Sequence, residues 1–334
     1  MDTPQDPVAR TAEEVQVFEA AKIEKKTHQT RMILFGLLIL CSTIPLFLTL
    51  GVPNKPTQST VDLYSTLMSV PDNSTVLLQT DWTLSTRGES GGEFEGLMRV
   101  LMRKNCKIAL YSMSDAQAPQ VAIDEIALLL NPERKAKGER EYKAWDDYIS
   151  LGFFPNAEGE TASMAANLRS AWTGKKAIDV QGQEEDVFQS PVLKNVQTIA
   201  NVPLVVIITA TNSFNVLIER LAGKVPVIAL VTGVMGPESN VYYSSKQIQG
   251  LAIGMKGVYD LETMMEEGIN SPGKDGKVAF EWPNHPPVAG FPGETNYGRG
   301  KLYFPTLHID MTLMILAVIF GNVGMFMAKK RGNR

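Results

Sequence analysis

Cysteine and histidine are scarce in this chain of 334 residues, which contains two cysteines and three histidines. Cys41 lies in an apolar run near the start, whereas Cys106 lies in the polar middle of the chain. A disulfide between them is not expected, so the middle must hold together through a hydrophobic core. The few cysteines and histidines also lack the spacing of a zinc site. A disulfide scaffold and a structural zinc domain are therefore both disfavoured.

The glycine motifs of nucleotide-binding proteins are also missing. The glycine-rich stretch at residues 85–92 contains neither G-x-G-x-x-G nor G-x-x-x-x-G-K-[ST]. Tyr242 and Lys246 have a Y-x-x-x-K spacing that resembles the catalytic pair of short-chain dehydrogenases. The glycine pattern of that family is absent from the first loop, so we interpret the spacing as coincidence and Tyr242 as a packing residue. His285, in a proline-rich stretch, is interpreted as a solvent-exposed loop residue.

Charge is absent from residues 32–52 and nearly absent from residues 307–328, where only His308 and Asp310 interrupt the apolar run. Each run has the length of a helix that crosses a hydrocarbon core about 30 Å thick. Two such helices would place both chain ends on one side of a membrane. A cleaved signal peptide is the competing interpretation of the first run, but its apolar core is too long and no A-x-A-like site follows it.

Basic residues indicate the orientation. They flank the terminal side of each run, as Lys22, Lys25, Lys26 and Arg31 before the first and Lys329, Lys330, Arg331 and Arg334 after the second. The positive-inside bias predicts cytoplasmic termini, with residues 53–306 outside the cytoplasm of a plasma or inner membrane. The predicted external region contains 23 Lys and Arg against 29 Asp and Glu, a net charge of −6. This balance disfavours nucleic acid and anionic lipid as its partners.

The external region alternates short Val- and Ile-rich runs with helical stretches, which favours parallel βαβ units. The fold class predicted is α/β: two transmembrane helices flanking an external Rossmann-like or flavodoxin-like parallel-sheet domain. Five strands are predicted, at residues 75–82, 107–113, 148–154, 203–209 and 226–232. Helices are predicted at residues 93–104, 120–130, 133–147, 161–172, 213–222 and 245–267.

Composition divides the chain into six segments. A cytoplasmic tail with a short helix occupies residues 1–31, and the first transmembrane helix occupies residues 32–52. The external α/β domain follows at residues 53–269. A Gly- and Pro-rich strap at residues 270–306 cannot form long helices and returns the chain to the membrane. The second transmembrane helix, residues 307–328, and a basic tail, residues 329–334, complete the chain.

Candidate site residues follow from the predicted sheet, because ligands of open parallel sheets bind outside the carboxyl ends of the strands. Helix capping is the commoner role of Ser, Asp and Asn at these positions. The glycine-rich stretch is expected mainly as a flexible surface loop, in which Glu89 and Glu93 would repel phosphate. The ligand-binding candidates are Asp81, Arg87, Ser90, Gly91, Ser114, Asp115, Thr211, Asn212 and Ser213.

The predicted function is a ligand-sensing or scaffold subunit of a membrane complex, because no catalytic set and no transport feature is recognisable. The alternative is a membrane-anchored hydrolase or transferase that uses Asp81 and the first loop. A third hypothesis is an accessory subunit that handles envelope lipid or polymer. No cofactor is indicated. Small residues four apart in the second run could pack against a helix of this chain or another subunit, and they are Ala317, Gly321, Gly324 and Ala328.

Overall fold

The structure is a computed structural model that describes residues 12–48, 52–273 and 276–332. The predictions for residues 1–11 and for residues 333–334 lie outside the described residues, as does the side chain of Ala328. The described chain forms two compact units. One comprises residues 52–304, and the other comprises the two terminal segments.

Two long helices, Ala12–Phe47 and Gly300–Gly332, supply the terminal unit, and residues 300–304 at the start of the second helix belong to the other unit. Within them, His28–Phe47 and Gly300–Phe326 are long and apolar enough to cross a membrane, each with a mean hydropathy of 1.9. The second helix begins at Gly300, ahead of the expected start at residue 307. Ser42 Oγ donates a hydrogen bond of 2.9 Å to Asp310 Oδ2, which joins the two helices through polar side chains.

The other unit is an α/β domain. Its strands are β1 (Thr75–Asp81), β2 (Lys107–Ser112), β3 (Tyr148–Phe153), β4 (Lys176–Ile178), β5 (Glu184–Asp186), β6 (Val205–Thr209), β7 (Val227–Val231) and β8 (Gly250–Ile253). Its helices are α1 (Gln58–Ser69), α2 (Arg87–Arg103), α3 (Ala118–Glu125), α4 (Asn131–Ala136), α5 (Ala157–Ala166), α6 (Leu168–Ala171), α7 (Phe214–Leu221), α8 (Gly236–Ser244) and α9 (Gly254–Glu267).

Six strands form one parallel sheet in the order β3-β2-β1-β6-β7-β8, and β4 and β5 form a separate antiparallel pair. The parallel α/β prediction is confirmed, with six strands rather than five. Strands β6 and β7 are buried along their whole length, as a sheet covered on both faces requires. The strand order reverses direction between β1 and β6, where Asp81 pairs in register with Thr209.

The sixth strand corrects the prediction of one long helix at residues 245–267. That stretch contains β8 and then α9, because Gly250 brings the strand directly under α1. A Cβ at Gly250 would lie 2.2 Å from the backbone of Leu63, so only glycine fits there. Helix α1 itself was not predicted. Four residues are too few for a strand to show its own period beside a helical pattern.

The glycine-rich stretch also departs from its prediction as a flexible loop. Helix α2 begins at Arg87, and Ser90, Gly91 and Gly92 are buried within it. A Cβ at Gly92 would lie 3.1 Å from Val258, and one at Gly96 would lie 3.0 Å from Leu261. The glycines therefore allow α2 and α9 to pack closely, which outweighs their low helix propensity.

The charged segment at residues 133–147 is not the predicted single helix. A π-helical turn, Ile126–Leu130, leads into the short helix α4, and the chain then turns at Gly138, whose φ is +75°. Within its described residues, the strap before Gly300 contains only isolated bridges, such as Ile269 with Val288.

The sheet separates two apolar clusters. Trp82, Tyr64 and Phe94 are fully enclosed in one cluster, and Tyr111, Trp172 and Phe214 are enclosed in the other. Cys106 is a free, fully buried thiol in the first cluster, which confirms its interpretation as a small core residue. The domain thus has a core on each face of the sheet.

Candidate functional site

A cleft of about 440 Å³ opens where the strand order reverses, at the carboxyl ends of β1, β6 and β7. Ligands of doubly wound sheets bind at this position. Glu89, in the first turn of α2, is the acidic group that lines the cleft. The other lining residues follow the three strands, and they are Ser85, Thr86, Gly88, Ala210, Thr232 and Val234.

Asp81 lies beside this cleft but is almost completely buried, with 1% of its surface exposed. Its carboxylate receives hydrogen bonds from five neutral donors. The donors are Ser112 Oγ at 2.7 Å, the backbone N–H of Met113 at 2.9 Å, the backbone N–H of Ser114 at 3.3 Å, Ser213 Oγ at 2.8 Å and the side-chain amide of Gln79.

The five bonds give Asp81 a positioning role. Its Oδ1 holds the end of β2, and its Oδ2 holds the segment that precedes α7 through Ser213. The structure therefore brings together three of the predicted residues, Asp81, Ser114 and Ser213. A carboxylate with both oxygens engaged in this way is a poor general base, because deprotonating a substrate would break its own bonds.

The remaining candidates after β2 and β6 have more local roles. Asp115 accepts a bond of 2.7 Å from the backbone N–H of Gln117, as expected of a residue that caps a turn. Thr211 and Ser213 share a hydroxyl contact of 2.9 Å next to the cleft residue Ala210. Asn212 lies exposed between them. Capping therefore accounts for Asp115, whereas Thr211 directly follows the cleft residue Ala210 in the chain.

Arg87, Ser90 and Gly91 do not line the cleft. Arg87 forms an ion pair of 2.7 Å with Glu125, and a Cβ at Gly91 would lie 2.8 Å from the Arg299 guanidinium. The Ser90 hydroxyl is buried and has no hydrogen-bond partner among the described residues. Arg87 and Gly91 therefore belong to a second region, where α2, α3 and the strap meet.

That second region is an ionic cluster of three arginines and three glutamates: Arg87, Glu95, Arg99, Glu125, Glu133 and Arg299. Arg299 lies 2.8 Å from Glu95 and 3.0 Å from Glu125, which fastens the strap to α2 and α3. Burial raises the pKa of Glu95 to about 7, although the Arg299 and Arg99 charges oppose that shift.

Glu89 lines the cleft, and Glu93 is buried one helical turn further along α2; the sequence predictions selected neither as a site residue. Half-buried Glu89 accepts a bond of 2.7 Å from the backbone N–H of Gly233. Glu93 is fully buried, and neither of its carboxyl oxygens makes a hydrogen bond of ordinary geometry among the described residues, although the backbone N–H of Gly254 opposes the rise of its pKa. Burial, and then the Glu89 charge, raise the pKa of Glu93 well above its ordinary value. Their spacing of four within a helix was the available signal, but it required Gly88 and Gly92 to be helical.

A second cavity, of about 290 Å³, corrects the interpretation of His285 as solvent-exposed. The side chain of His285 is only 13% exposed, and its Nε2 lies 2.8 Å from Asp62 Oδ1. Tyr243 donates a bond of 2.5 Å to the other oxygen of Asp62. Tyr242 packs edge-on against Phe214 at 5.8 Å between ring centroids, as expected of a packing residue.

Within the described residues, no group of three or more His, Cys, Asp or Glu side chains is arranged to hold a metal ion. Comparison with known family models, curated proteins and solved structures finds no match to this chain.

Proposed function

We propose that this chain is a membrane-tethered ligand-sensing subunit, and that the cleft at the carboxyl ends of β1, β6 and β7 is its ligand site. The observation that carries this proposal is the position of the cleft at the point where strand order reverses. If the six strands of the sheet are renumbered in chain order, leaving out β4 and β5, their spatial order is 3-2-1-4-5-6. This is the order of Rossmann-type sheets, which bind their ligands where the strand order reverses.

The cleft lining favours a small ligand with a positively charged group, such as an amine. Glu89 supplies a half-buried carboxylate, and Ser85, Thr86 and Thr232 supply hydroxyls. No lysine or arginine is among the described residues that line the cleft. A carboxylate at a partly dry wall attracts a cation and repels an anion more strongly than it would in water. An amine is therefore the expected ligand group.

Sensing is favoured over catalysis by the state of Asp81, whose oxygens are fully engaged within the protein. One observation supports the alternative of an extracytoplasmic hydrolase or transferase. Glu89 and Glu93 are neighbouring carboxyl groups in unlike environments, a pattern that can assign one as acid and the other as base. If the chain has hydrolase or transferase activity and both Glu89→Gln and Glu93→Gln abolish it, this alternative would be favoured.

The proposed arrangement in the membrane has cytoplasmic termini and an external α/β domain. Cysteines introduced singly at Lys277 and Arg334, in a chain without Cys41 and Cys106, provide the test. An impermeant thiol reagent should label the first variant in intact cells and the second only after lysis. Labelling of the Arg334→Cys variant alone in intact cells would reverse the orientation.

The second apolar helix is the proposed contact with other membrane subunits. Gly321 and Gly324 are exposed, and nothing lies within 4 Å of a Cβ built at either position. Small residues of this kind let another helix approach closely. Gly321→Leu should therefore weaken the association of this chain with other membrane subunits in detergent, as measured by cross-linking. Val318→Leu, at a neighbouring exposed position, should leave that association unchanged.

A thermal-shift screen of the full chain with amines, amino acids and short polyamines tests the ligand site. An amine that binds should raise the melting temperature of the wild type and have a much smaller effect on Glu89→Gln. Glu185→Gln is the matched control, because Glu185 is an exposed carboxylate in β5, outside the cleft. Equal shifts in the wild type and Glu89→Gln would place binding elsewhere.

A further inference from the structure

Helix α9 begins at the wall of the cleft. Its first residue, Gly254, has a φ of +53°, and a Cβ there would lie 3.1 Å from the Gly233 nitrogen and 3.2 Å from Glu89 Oε2. Gly233 in turn donates its backbone N–H to the same Glu89 oxygen. Three elements, α2, the loop after β7 and α9, therefore meet at one carboxylate that a ligand in the cleft would contact.

One face of α9 holds the segment that follows the first apolar helix in the chain. The Lys256 ammonium donates to Asn54 Oδ1 at 2.9 Å and to the carbonyl of Lys55 at 3.0 Å. The backbone N–H of Thr57 donates to Asp260 Oδ2 at 2.9 Å, and Asp260 is fully buried. These bonds come from consecutive turns of α9, so the segment follows any displacement of the helix.

The same helix holds the segment that leads into the second apolar helix. Glu262 is 1% exposed and accepts three backbone N–H groups, from Gly298 at 2.8 Å, Gly300 at 3.1 Å and Lys301 at 3.0 Å. The second apolar helix begins at Gly300, and the first amides of a helix lack partners within it. Glu262 therefore caps the start of that helix from α9.

Close packing makes α2 and α9 a stiff pair. A Cβ built at Gly92 would lie 3.1 Å from the side chain of Val258, and one built at Gly96 would lie 3.0 Å from that of Leu261. Packed interiors of this density transmit small displacements instead of absorbing them. Glu89 lies on α2, so a change at the cleft reaches α9 both at Gly254 and along this packed face.

We infer that α9 couples the cleft to both segments that lead to the apolar helices, so that occupancy of the cleft changes how firmly those segments are held. The inference rests on the proposed function, because it assigns the regulation carried out by the same ligand site. A ligand that draws Glu89 away from Gly233 would loosen the start of α9. The effect of the ligand thereby reaches the two segments, residues 54–57 and 298–301, that connect to the apolar helices.

Hydrogen exchange of the full chain in nanodiscs tests the coupling, because four reporter amides donate directly to α9 carboxylates. They are the amides of Thr57, Gly298, Gly300 and Lys301. Glu89→Ala removes the acceptor of Gly233, so exchange at all four reporters should rise about fivefold or more. Glu185→Ala, in the exposed β5 strand, should leave the reporters unchanged.

Two further variants separate coupling from general loosening. Val234→Trp fills the mouth of the cleft at a side chain that is 88% exposed, so it should perturb the reporters without disturbing the core. Glu262→Gln should speed exchange at Gly298, Gly300 and Lys301 but leave the amide of Gly233 unchanged. Unchanged reporters in both Glu89→Ala and Val234→Trp would overturn the coupling.

The coupling and the ligand site fail in different ways. Reporters that respond to Glu89→Ala, in a chain whose melting temperature no amine changes, would support the coupling and contradict the proposed ligand. The opposite result would be amine binding that depends on Glu89, together with hydrogen exchange at the reporter amides that neither the amine nor the variants change. That result would support the ligand site and contradict the coupling.

Discussion

The cleft region and the ionic cluster each contain three acidic side chains, but only the cluster contains arginines to match them. Glu95, Glu125 and Glu133 pair with three guanidinium groups. Asp81 and Glu89 are bonded only by neutral donors. The glutamate charges of the cluster are therefore balanced by arginines, whereas the cleft retains a negative potential that a bound cation could neutralise. One region fastens the chain, and the other is the site proposed for a ligand.

The largest effect is expected from removing a guanidinium of the ionic cluster. Arg299→Met leaves Glu95 and Glu125, which are almost fully buried, without their shared partner, and should cost about 3–5 kcal/mol of unfolding free energy. Urea denaturation of the full chain, followed by tryptophan fluorescence, measures the loss. Arg220→Met is the control, because Arg220 pairs with Glu158 at an exposed site and should cost no more than about 1 kcal/mol. Equal midpoints for both variants would remove the distinction between the regions.

A smaller but substantial loss is expected at Asp81. Asp81→Asn directs an amide N–H₂ toward groups that are themselves donors, so about 2–4 kcal/mol should be lost. Asp115→Asn is the control, because an asparagine can also accept the bond from Gln117. If function falls in proportion to stability in Asp81→Asn, Asp81 positions the cleft loops. Lost ligand binding at unchanged stability would instead make it a direct ligand contact.

The ionic cluster also predicts a dependence of stability on pH. The pKa of Glu95 is raised from 4.5 to about 7 on folding. Its contribution to stability is therefore complete below pH 4.5 and is lost as the pH rises through 7, by about 1–3 kcal/mol. Urea midpoints between pH 4.5 and pH 8 should fall less steeply in Glu95→Gln than in the wild type. Parallel curves would show that Glu95 titrates normally.

The smallest effect is expected at Glu93, although it is as buried as Asp81. Burial, and then the Glu89 charge, raise the pKa of Glu93 and so favour its protonated, neutral form. Glu93→Gln then replaces one neutral group with another of similar shape and should change stability by less than about 1 kcal/mol at pH 7. Thermal melting is sufficient to test this. A loss as large as that of Asp81→Asn would mean that Glu93 is ionised.

The strands of the sheet centre could be predicted because burial on both faces leaves only apolar residues in them. Residues 203–209 and 226–232 show this in the sequence and form β6 and β7. The grouping of Asp81 with Ser213 agrees with the rule that strand ends converge where strand order reverses.

The missed features depend on tertiary partners that are distant in the sequence. Gly92 belongs in a helix only because Val258 packs against it. The sequence could not place Arg87 in the ionic cluster, because Arg299, which contacts both Arg87 and Glu125, lies 212 residues away from Arg87 in the strap. Gly250 marks a strand only because α1, itself unpredicted, crosses it. Local sequence patterns do not predict such long-range contacts.

The bond between Ser42 and Asp310 has a consequence for biogenesis. In the proposed two-span arrangement, the first apolar helix is synthesised and inserted before Asp310 leaves the ribosome. A carboxylate entering a bilayer alone is costly, and a hydroxyl already in place lowers that cost. Ser42 would then act as a docking point for a late-arriving helix. The chain would insert in the order in which it is translated, with the first helix stabilising the second.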